Sequence, residues 1–495
     1  MMRSTFGGLN IMVRGLFAQQ ASLDTVGHNI ANANTDGFSR QRVNGTATRP
    51  EIIFGGTGKL EIGSGVTITS ITRARDTFVD RQMWKESSSL SYNQSQEDAL
   101  GRIEGIFNDT SETGLQSGLD KFWSAWQSLS TNASDFGVRA ALRERAVELV
   151  DNIQHSTQQL KDIASDINSV IDIKVKRVNQ ISEEILGLNR LITATELGGT
   201  SNANDLRDRR DLLVDELSGL VKVQVNEDSY GNYLIQSNGA NLVDATSYTE
   251  LETNYDPSSP LPEIYGQPVK QIYLKGALQP VSFSGGELKG LLDSRDSDTS
   301  GVKAYLDKLN TISKFFLVDF NAIHKEGYGL DGSTGNNFFG DKDFALTPPE
   351  NDNYIAALKV NSEFFELNGT DLIAAKSSSS QGNGSGDYAV KLSEALKVPV
   401  TNSVLGNDIS LDNYYNSLVA ALGVQSQKAQ TFAKNQQVLV NQITNWRESV
   451  AGVNMDEEMT NMIRFQKGYS AASRVITAMD EMLDKLINGT GQVGR

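Results

Sequence analysis

The chain of 495 residues holds three imidazoles, His28, His155 and His324, and none has a second metal-ligating residue type beside it at a recognisable spacing. We read all three as structural, with His28 at a helix end where an imidazole can bond a carbonyl. Cysteine is absent, which removes thiolate nucleophiles, disulfides and Cys-based metal centres. GGTGKL at 55–60 imitates a phosphate-binding loop, but Ile53 stands where the first glycine belongs and Leu60 where a hydroxyl must reach magnesium. DSDTSGVKAYLD at 296–307 sets Asp296, Asp298, Ser300, Gly301 and Asp307 in calcium-loop register. However, Lys303 takes its usual apolar position and Asp307 replaces the bidentate glutamate, so capping of the following helix explains it more simply. No Gly-x-Ser-x-Gly elbow stands out, and no carboxylate pair separates itself from the 61 acids. These residues point to no enzyme, no cofactor and no metal site.

The balance of 45 basic and 61 acidic side chains gives −16, opposite in sign to the field that nucleic acid or an anionic membrane requires. Residues 1–50 carry +3 and residues 413–495 carry +1, which leaves −20 for residues 51–412. Ends that pack against many neighbours should be near neutral, whereas an exposed body gains solubility from like charge. No apolar run approaches the ~20 residues of a membrane span, and the first residues lack the pattern of a cleaved secretory signal. Composition leaves open a cytoplasmic protein and one exported without such a signal.

The elements that position these residues are mostly helices. Phe6, Leu9, Val13, Leu16, Gln20, Leu23, Gly27 and Ile30 follow a heptad rhythm, which predicts a helix from Thr5 to Ala31. Asn32, Asn34 and Asp36 favour local side-chain bonds and Gly37 tolerates positive φ, so the helix stops there and Phe38 to Val43 run extended. A second seam joins Leu418, Leu422, Ala429, Phe432, Leu439, Ile443, Trp446 and Val450. After a break at Gly452 and Asn454, a third joins Phe465, Tyr469, Ala472, Ile476, Met479, Leu483 and Leu486. Ala471, Val475, Ala478 and Met482 make another stripe on that last helix, which therefore needs two partners, and the N-terminal helix supplies one. Periodicity alone also allows a private bundle in which the two ends finish one intramolecular core.

Further helices are expected at 80–108, 118–129, 142–192, 204–219 and 286–325, the third a single long one. The alternation of Val221, Val223 and Val225, followed by five prolines before residue 284, predicts a β-rich insertion. The expected fold is mostly α. Terminal helices (1–32 with 413–495) pair into a coiled coil, and 33–80 form an extended connector with short strands. Residues 81–220 with 285–327 form a long-helix bundle, 221–284 the β-rich insertion, and 328–412 a mixed, Gly/Ser-rich segment.

HNIANANTDGFSRQRV (28–43), placed after an amphipathic helix, resembles the N-terminal motif of bacterial flagellar rod, hook and hook-associated proteins, through Asn29, Ala31, Asn32, Asn34, Thr35, Gly37, Phe38 and Arg40. IGSGVTITSITRARDTFV (62–79) resembles that family's next block, and FQKGYSAASRVITAMDEMLDKLIN (465–488) its closing helix. Three internal blocks are similar to the hook-associated branch nearest the hook: NDLRDRRDLLVDELS (204–218), GGELKGLLDSRDS with FNAIHKEGYGLDGSTGNNFF (within 285–339), and VNSEFFELNGTDLIAA (360–375). Departures concentrate at 226–284 and 340–359.

The resemblance implies a structural adaptor between hook and filament: a homo-oligomeric ring with the hook protein on one side and the second hook-associated protein on the other. Nucleic acid and membranes are not among the implied partners. It further implies export in unfolded form, without a cleaved signal, to the extracellular flagellum, with terminal helices that order only on assembly. The seams from Phe6 to Ile30 and from Phe465 to Leu486 would then make self-assembly contacts. A cytoplasmic export chaperone is implied for the C-terminal helices, and Met455, Met459 and Met462 suit an adaptable binding face. Three alternatives stand beside this. One is another flagellar axial protein, such as the second junction protein or a hook or rod component. The others are an unrelated coiled-coil scaffold and a rod-cap-like hydrolase, for which no catalytic centre is visible.

Overall fold

Apolar periodicity becomes helix along most of the chain. The computed structural model describes residues 6–55, 58–107, 114–199, 201–255, 266, 269–341, 352–398 and 400–489. Its helices are α1 (Phe6–Ala31), α2 (Thr77–Phe107), α3 (Leu115–Thr131), α4 (Phe136–Glu196), α5 (Asn204–Leu220), α6 (Glu287–Asp296), α7 (Val302–Phe315), α8 (Asn321–Glu326), α9 (Tyr354–Ala357), α10 (Asp387–Lys397), α11 (Leu411–Ala451) and α12 (Met455–Gly489). The long helix expected over 142–192 has 61 residues, about 90 Å at 1.5 Å per residue. It begins earlier than its seam because the Asp135 carboxylate accepts from the N–H groups of Gly137 and Val138.

The strands form small antiparallel sheets. β1 (Gln41–Ala47) pairs with β4 (Val66–Arg73) across the hairpin of β2 (Glu51–Gly55) and β3 (Gly58–Ile62). β5 (Gln224–Glu227), β6 (Tyr233–Ser237) and β7 (Ala240–Val243) make a meander. β8 (Leu251–Tyr255) pairs with β9 (Lys270–Leu274), and β10 (Val400–Asn402) with β11 (Gly406–Ile409). The Gly-rich GGTGKL stretch contributes to β2 and β3, and its Gly56 and Thr57 lie outside the described residues.

Two compact units emerge, and they follow a different division from the composition changes in the sequence. The first comprises Met1–Ser89, Arg177–Glu250 and Gln437–Arg495, the second Leu90–Lys176 and Leu251–Gln436. Helices α2, α4 and α11 each contribute to both. The expected β insertion is divided too. The meander belongs to the first unit, where Asn189 Nδ2 donates to the Tyr233 carbonyl (3.0 Å) and its Oδ1 accepts from the Tyr233 N–H (3.1 Å). β8 and β9 belong to the second, where Thr253 donates to Asp172 (2.6 Å) and Lys270 pairs with the same carboxylate.

The first unit's core is the C-terminal stripe of α4 (Val178, Ile181, Ile185, Ile192) against Val214 and Leu217 of α5 and Ile235 and Leu242 of the meander, all fully buried. The second unit is built on an aromatic cluster. Phe122 and Trp126 of α3 meet Phe316, Phe320, Phe338 and Phe339, with every one of these rings at 0% exposure and neighbouring centroids 4.9–6.1 Å apart. His324 completes the cluster. Its Nδ1 donates to the Asn336 carbonyl (2.8 Å) and its Nε2 accepts from the Ala374 N–H (3.0 Å), so it is a structural histidine as expected.

The helix expected from 286 to 325 is interrupted twice. A π-turn at Phe316–Phe320 separates α7 from α8. Between α6 and α7, the Ser297 hydroxyl accepts from the N–H groups of Thr299 and Ser300, and a Cβ at Gly301 would lie 2.8 Å from the Asp293 carbonyl. The helix-capping role expected for 296–307 is therefore corrected: Gly301 precedes α7 and makes no side-chain cap bond. The acids are engaged otherwise, Asp296 by Arg295, and Asp298 and Asp307 by the Lys303 ammonium.

Candidate functional site

The abrupt stop of α1 has a local cause. Asn32 donates through Nδ2 (3.0 Å) and its backbone N–H (3.1 Å) to the His28 carbonyl, Thr35 donates to Asn32 Oδ1 (3.3 Å), and Gly37 adopts φ +78°. His28 stands within 3.3 Å of Asp205 and lies edge-on to Phe38, with centroids 5.4 Å apart. Asn34 and Asp36 stay exposed in this turn. Together with the α11–α12 turn they line a polar groove of about 900 Å³.

Helices α1 and α12 run antiparallel. A Cβ added at Gly8 would strike the Met479 side chain, one at Gly468 would lie 2.9 Å from Gln19 Cδ, and Asn29 hydrogen-bonds Glu458. Leu9, Val13, Leu16, Leu23 and Ile30 on α1, and Phe465, Ala472, Ile476, Met479 and Leu483 on α12, are half-buried along this pair. Tyr469 (36% exposed) and Leu486 (54%) lie further out, and the Phe6 side chain is outside the described residues. The second stripe behaves differently: Ala471, Val475, Ala478 and Met482 are all exposed. The termini thus satisfy one face of α12 and leave the other without an intramolecular partner among the described residues.

At the closed end of the pair lies a polar joint that spacing alone does not reveal. Asn29 is 1% exposed, donates to the Gln41 carbonyl (3.0 Å) and to Glu458 (3.1 Å), and accepts from the Gln41 N–H (2.9 Å). Arg40 binds Glu457 (2.7 Å) and Glu458 (2.6 Å), and its N–H donates to the Ala451 carbonyl (2.9 Å). Behind it α5 presents a line of carboxylates. Asp208 and Asp211 hold Arg73 (2.8 and 2.7 Å), Asp211 also meets Arg75 (3.2 Å) and the Tyr233 hydroxyl (2.7 Å), and Asp215 accepts from Arg447 (2.6 Å) and Trp84 (2.7 Å). Burial pushes the Asp211 carboxyl up, but Arg75 and Arg73 outweigh it and hold the group below the usual carboxylate range. At Asp215 burial outweighs Arg447 and Arg75, so that carboxyl is held above its usual range. Buried ions of this kind specify direction more than they add stability, because each needs its partner at one geometry.

Of the motif residues, Asn29, Asn32, Thr35, Gly37, Phe38 and Arg40 therefore build the turn and the joint, while Ala31 and Asn34 are exposed. Met455 and Met459 are 42% and 47% exposed, and Met462 is half-buried. Sequence reasoning missed Glu458, Arg75, Asp208, Asp211, Asp215 and Arg447. The usable signal was the 3–4 spacing of Asp205, Asp208, Asp211 and Asp215, which puts all four acids on one helical face. Among the described residues no helix is long and apolar enough to cross a membrane, and no grouping of three or more His, Asp or Glu could hold a metal.

Comparison with known proteins places this arrangement. A family model described as flagellar hook-associated protein FlgK helical domain matches residues 100–339. Those described as flagella basal body rod protein and flagellar basal body rod FlgEFG protein C-terminal match residues 9–38 and 449–489. The chain is 33% identical over 523 residues to flagellar hook-associated protein 1 of Bacillus subtilis (strain 168), covering 100% of each. It is 26% identical over 559 residues to flagellar hook-associated protein 1 of Salmonella typhimurium, covering 97% of this chain and 99% of that one. The solved flagellar hook junction protein FlgK from Burkholderia pseudomallei, at 16% identity, shares the fold with a TM-score of 0.61 over 75% of this chain and 100% of that chain. Full-length similarity and matching end segments lead to one conclusion: the chain belongs to the flagellar hook-associated protein 1 family, a family of structural components of the bacterial flagellum.

Proposed function

We propose that this protein is the adaptor at the hook–filament junction, assembling with copies of itself through α12 and acting mechanically, without enzymatic activity. The single observation that carries the reading is the unpartnered stripe of Ala471, Val475, Ala478 and Met482 on a helix whose opposite face is already paired with α1. Exposed apolar stripes at heptad spacing attract a second helix, and in a ring of copies that helix comes from a neighbour. The hook protein below and the second hook-associated protein above are the proposed axial partners, and the extracellular flagellum, reached without a cleaved signal, is the proposed location. Before export, exposed Met455 and Met459, with Met462 beside them, offer a chaperone an adaptable surface.

The test separates the two faces of α12. Val475→Asp with Met482→Asp alters only the outer stripe, so the monomer should keep its melting temperature while cells carrying it as their sole copy fail to join filaments to hooks in electron micrographs. Filaments attached as in wild type would overturn the proposal. Ile476→Asp with Met479→Asp should abolish joining as well, but by opening the α1/α12 pair, seen as faster amide exchange in both helices.

A further inference from the structure

We infer that the projection at 365–367 of one copy seats in the groove between α3 and α4 of the next, a head-to-tail contact between copies of this chain. Both surfaces belong to the second unit. Leu367 is 95% exposed and Phe365 51%. The projection rests on Arg143 of α4, whose Nη1 donates to the Phe364 carbonyl (3.2 Å) and whose guanidinium lies over the Phe365 ring, 4.6 Å from its centroid. The groove measures about 810 Å³ and is lined by Ser124 and Ala125 of α3 and by Val138, Ala141 and Arg145 of α4. By helical rotation these three α4 residues fall roughly 180° from Arg143 and from the exposed Phe136, so projection and groove occupy opposite sides of one helix.

The projection is held firmly while its apolar tip stays in solvent. Phe364 is fully buried against Phe338, with centroids 5.3 Å apart. Asn361, also fully buried, donates to the Asn337 carbonyl (2.9 Å) and accepts from the Glu363 N–H (3.1 Å). Asn368 turns the chain at φ +58°, and Gly369 lies so close that a Cβ there would strike the Glu363 carbonyl oxygen. Side chains fixed in advance lose little entropy on binding, and an adjoining Phe and Leu in solvent make a contact surface, unlike a single scattered apolar residue. The groove answers with small side chains and the opposite charge. Arg145 shares the Glu148 carboxylate with Lys121 and keeps about half of its side chain in solvent, opposite in sign to Glu366, exposed beside Leu367. The acids of the groove are engaged: Asp120 pairs with Lys397 (2.9 Å), and Asp135 accepts from the first N–H groups of α4.

Copies joined through two different surfaces repeat in one direction and close a ring when the rotation allows, so the inference rests on the junction reading and names its contact outside the terminal helices. A short bis-maleimide tests it on hook–filament particles from cells whose sole copy carries Leu367→Cys with Ser124→Cys, in a chain without other cysteines. The two positions face opposite sides of α4, so a short linker joins them only between copies. The pair of substitutions should give a ladder of dimers and higher oligomers, and neither single substitution should. Assembled particles that yield only monomer, or Leu367→Cys alone cross-linking as well as the pair, would overturn the contact. Leu367→Asp, almost wholly in solvent, should keep the melting temperature of the monomer and detach filaments from hooks. Filaments still attached would overturn the contact while the outer-stripe variant of α12 detaches them; if both variants leave filaments attached, the junction reading itself falls.

Discussion

His324 makes the stability of the second unit depend on mild acid. The ring is enclosed by Trp126, Phe338 and Phe364, and its Nε2 accepts a backbone N–H, so a proton there would set two donors against each other. Burial is the main cause that lowers its pKa, to about 4 from 6.5, with Arg139 adding to the effect and the Asn336 carbonyl opposing it. Because the folded value lies below the unfolded one, the open chain binds the extra proton. The contribution is therefore complete above pH 6.5 and is lost as the pH falls from 6.5 to about 4. At 1.36 kcal/mol per pH unit that gap amounts to about 3 kcal/mol. Urea unfolding followed by tryptophan fluorescence from pH 7.5 to 4 measures it, with His324→Phe as the reference. The variant loses two hydrogen bonds and should be weaker at pH 7.5, but its stability should fall by about 3 kcal/mol less across that window, so the gap between the two proteins should close towards pH 4. Parallel pH profiles for the two proteins would refute the argument.

Two further outcomes follow from contacts in the first unit. Asp211→Asn removes the carboxylate shared by Arg73, Arg75 and the Tyr233 hydroxyl, leaving buried charge without its partner, and should cost about 3–5 kcal/mol in chemical denaturation; a loss under about 1 kcal/mol would mean that Asp208 on Arg73, and Asp80, which accepts from Arg75 at 2.7 and 3.1 Å, suffice. Gly468→Ile places side-chain atoms where Gln19 already lies, so it should weaken the α1/α12 pair, seen as faster exchange at 9–20 and 462–475, with no change at 204–220.

How much of this was legible in the sequence depends on the range of the cause. The stop of α1 at Ala31 and the break between α11 and α12 were readable because Asn32, Gly37, Gly452 and Asn454 act on their own turn of backbone. The α11 seam was readable only in part. Leu418, Leu422, Ala429 and Ile443 are buried, yet Phe432, Leu439 and Trp446 are 45–50% exposed. A straight helix drifts ~20° per heptad against a strict seven-residue repeat, so over four heptads one edge of a seam rotates out of contact unless the helices supercoil. Of the joint, Asn29 and Arg40 stood out with the motif, but their pairing with Glu458 was not legible. Arg40 and Glu458 stand more than 400 positions apart, and an arginine or glutamate in isolation reads as a solvated charge.

A polar joint at this place answers a mechanical requirement that an apolar one does not. Hydrophobic contact is non-directional, so an apolar base would let α12 roll about its axis and turn its outer stripe away from any neighbour. Glu458 bonded through both oxygens, to Arg40 and to Asn29, fixes that rotation, because turning the helix by even a quarter turn carries the carboxylate out of reach of both partners. Asp215 acts in the same way on the end of α11 through Arg447. The orientation of the exposed stripe is thus set by a few buried ions near residue 458, while the stripe itself stays near the surface and free of cover from the described residues. Within one helix, one end specifies direction and the remainder supplies apolar area, the division that the proposed assembly with neighbouring copies requires.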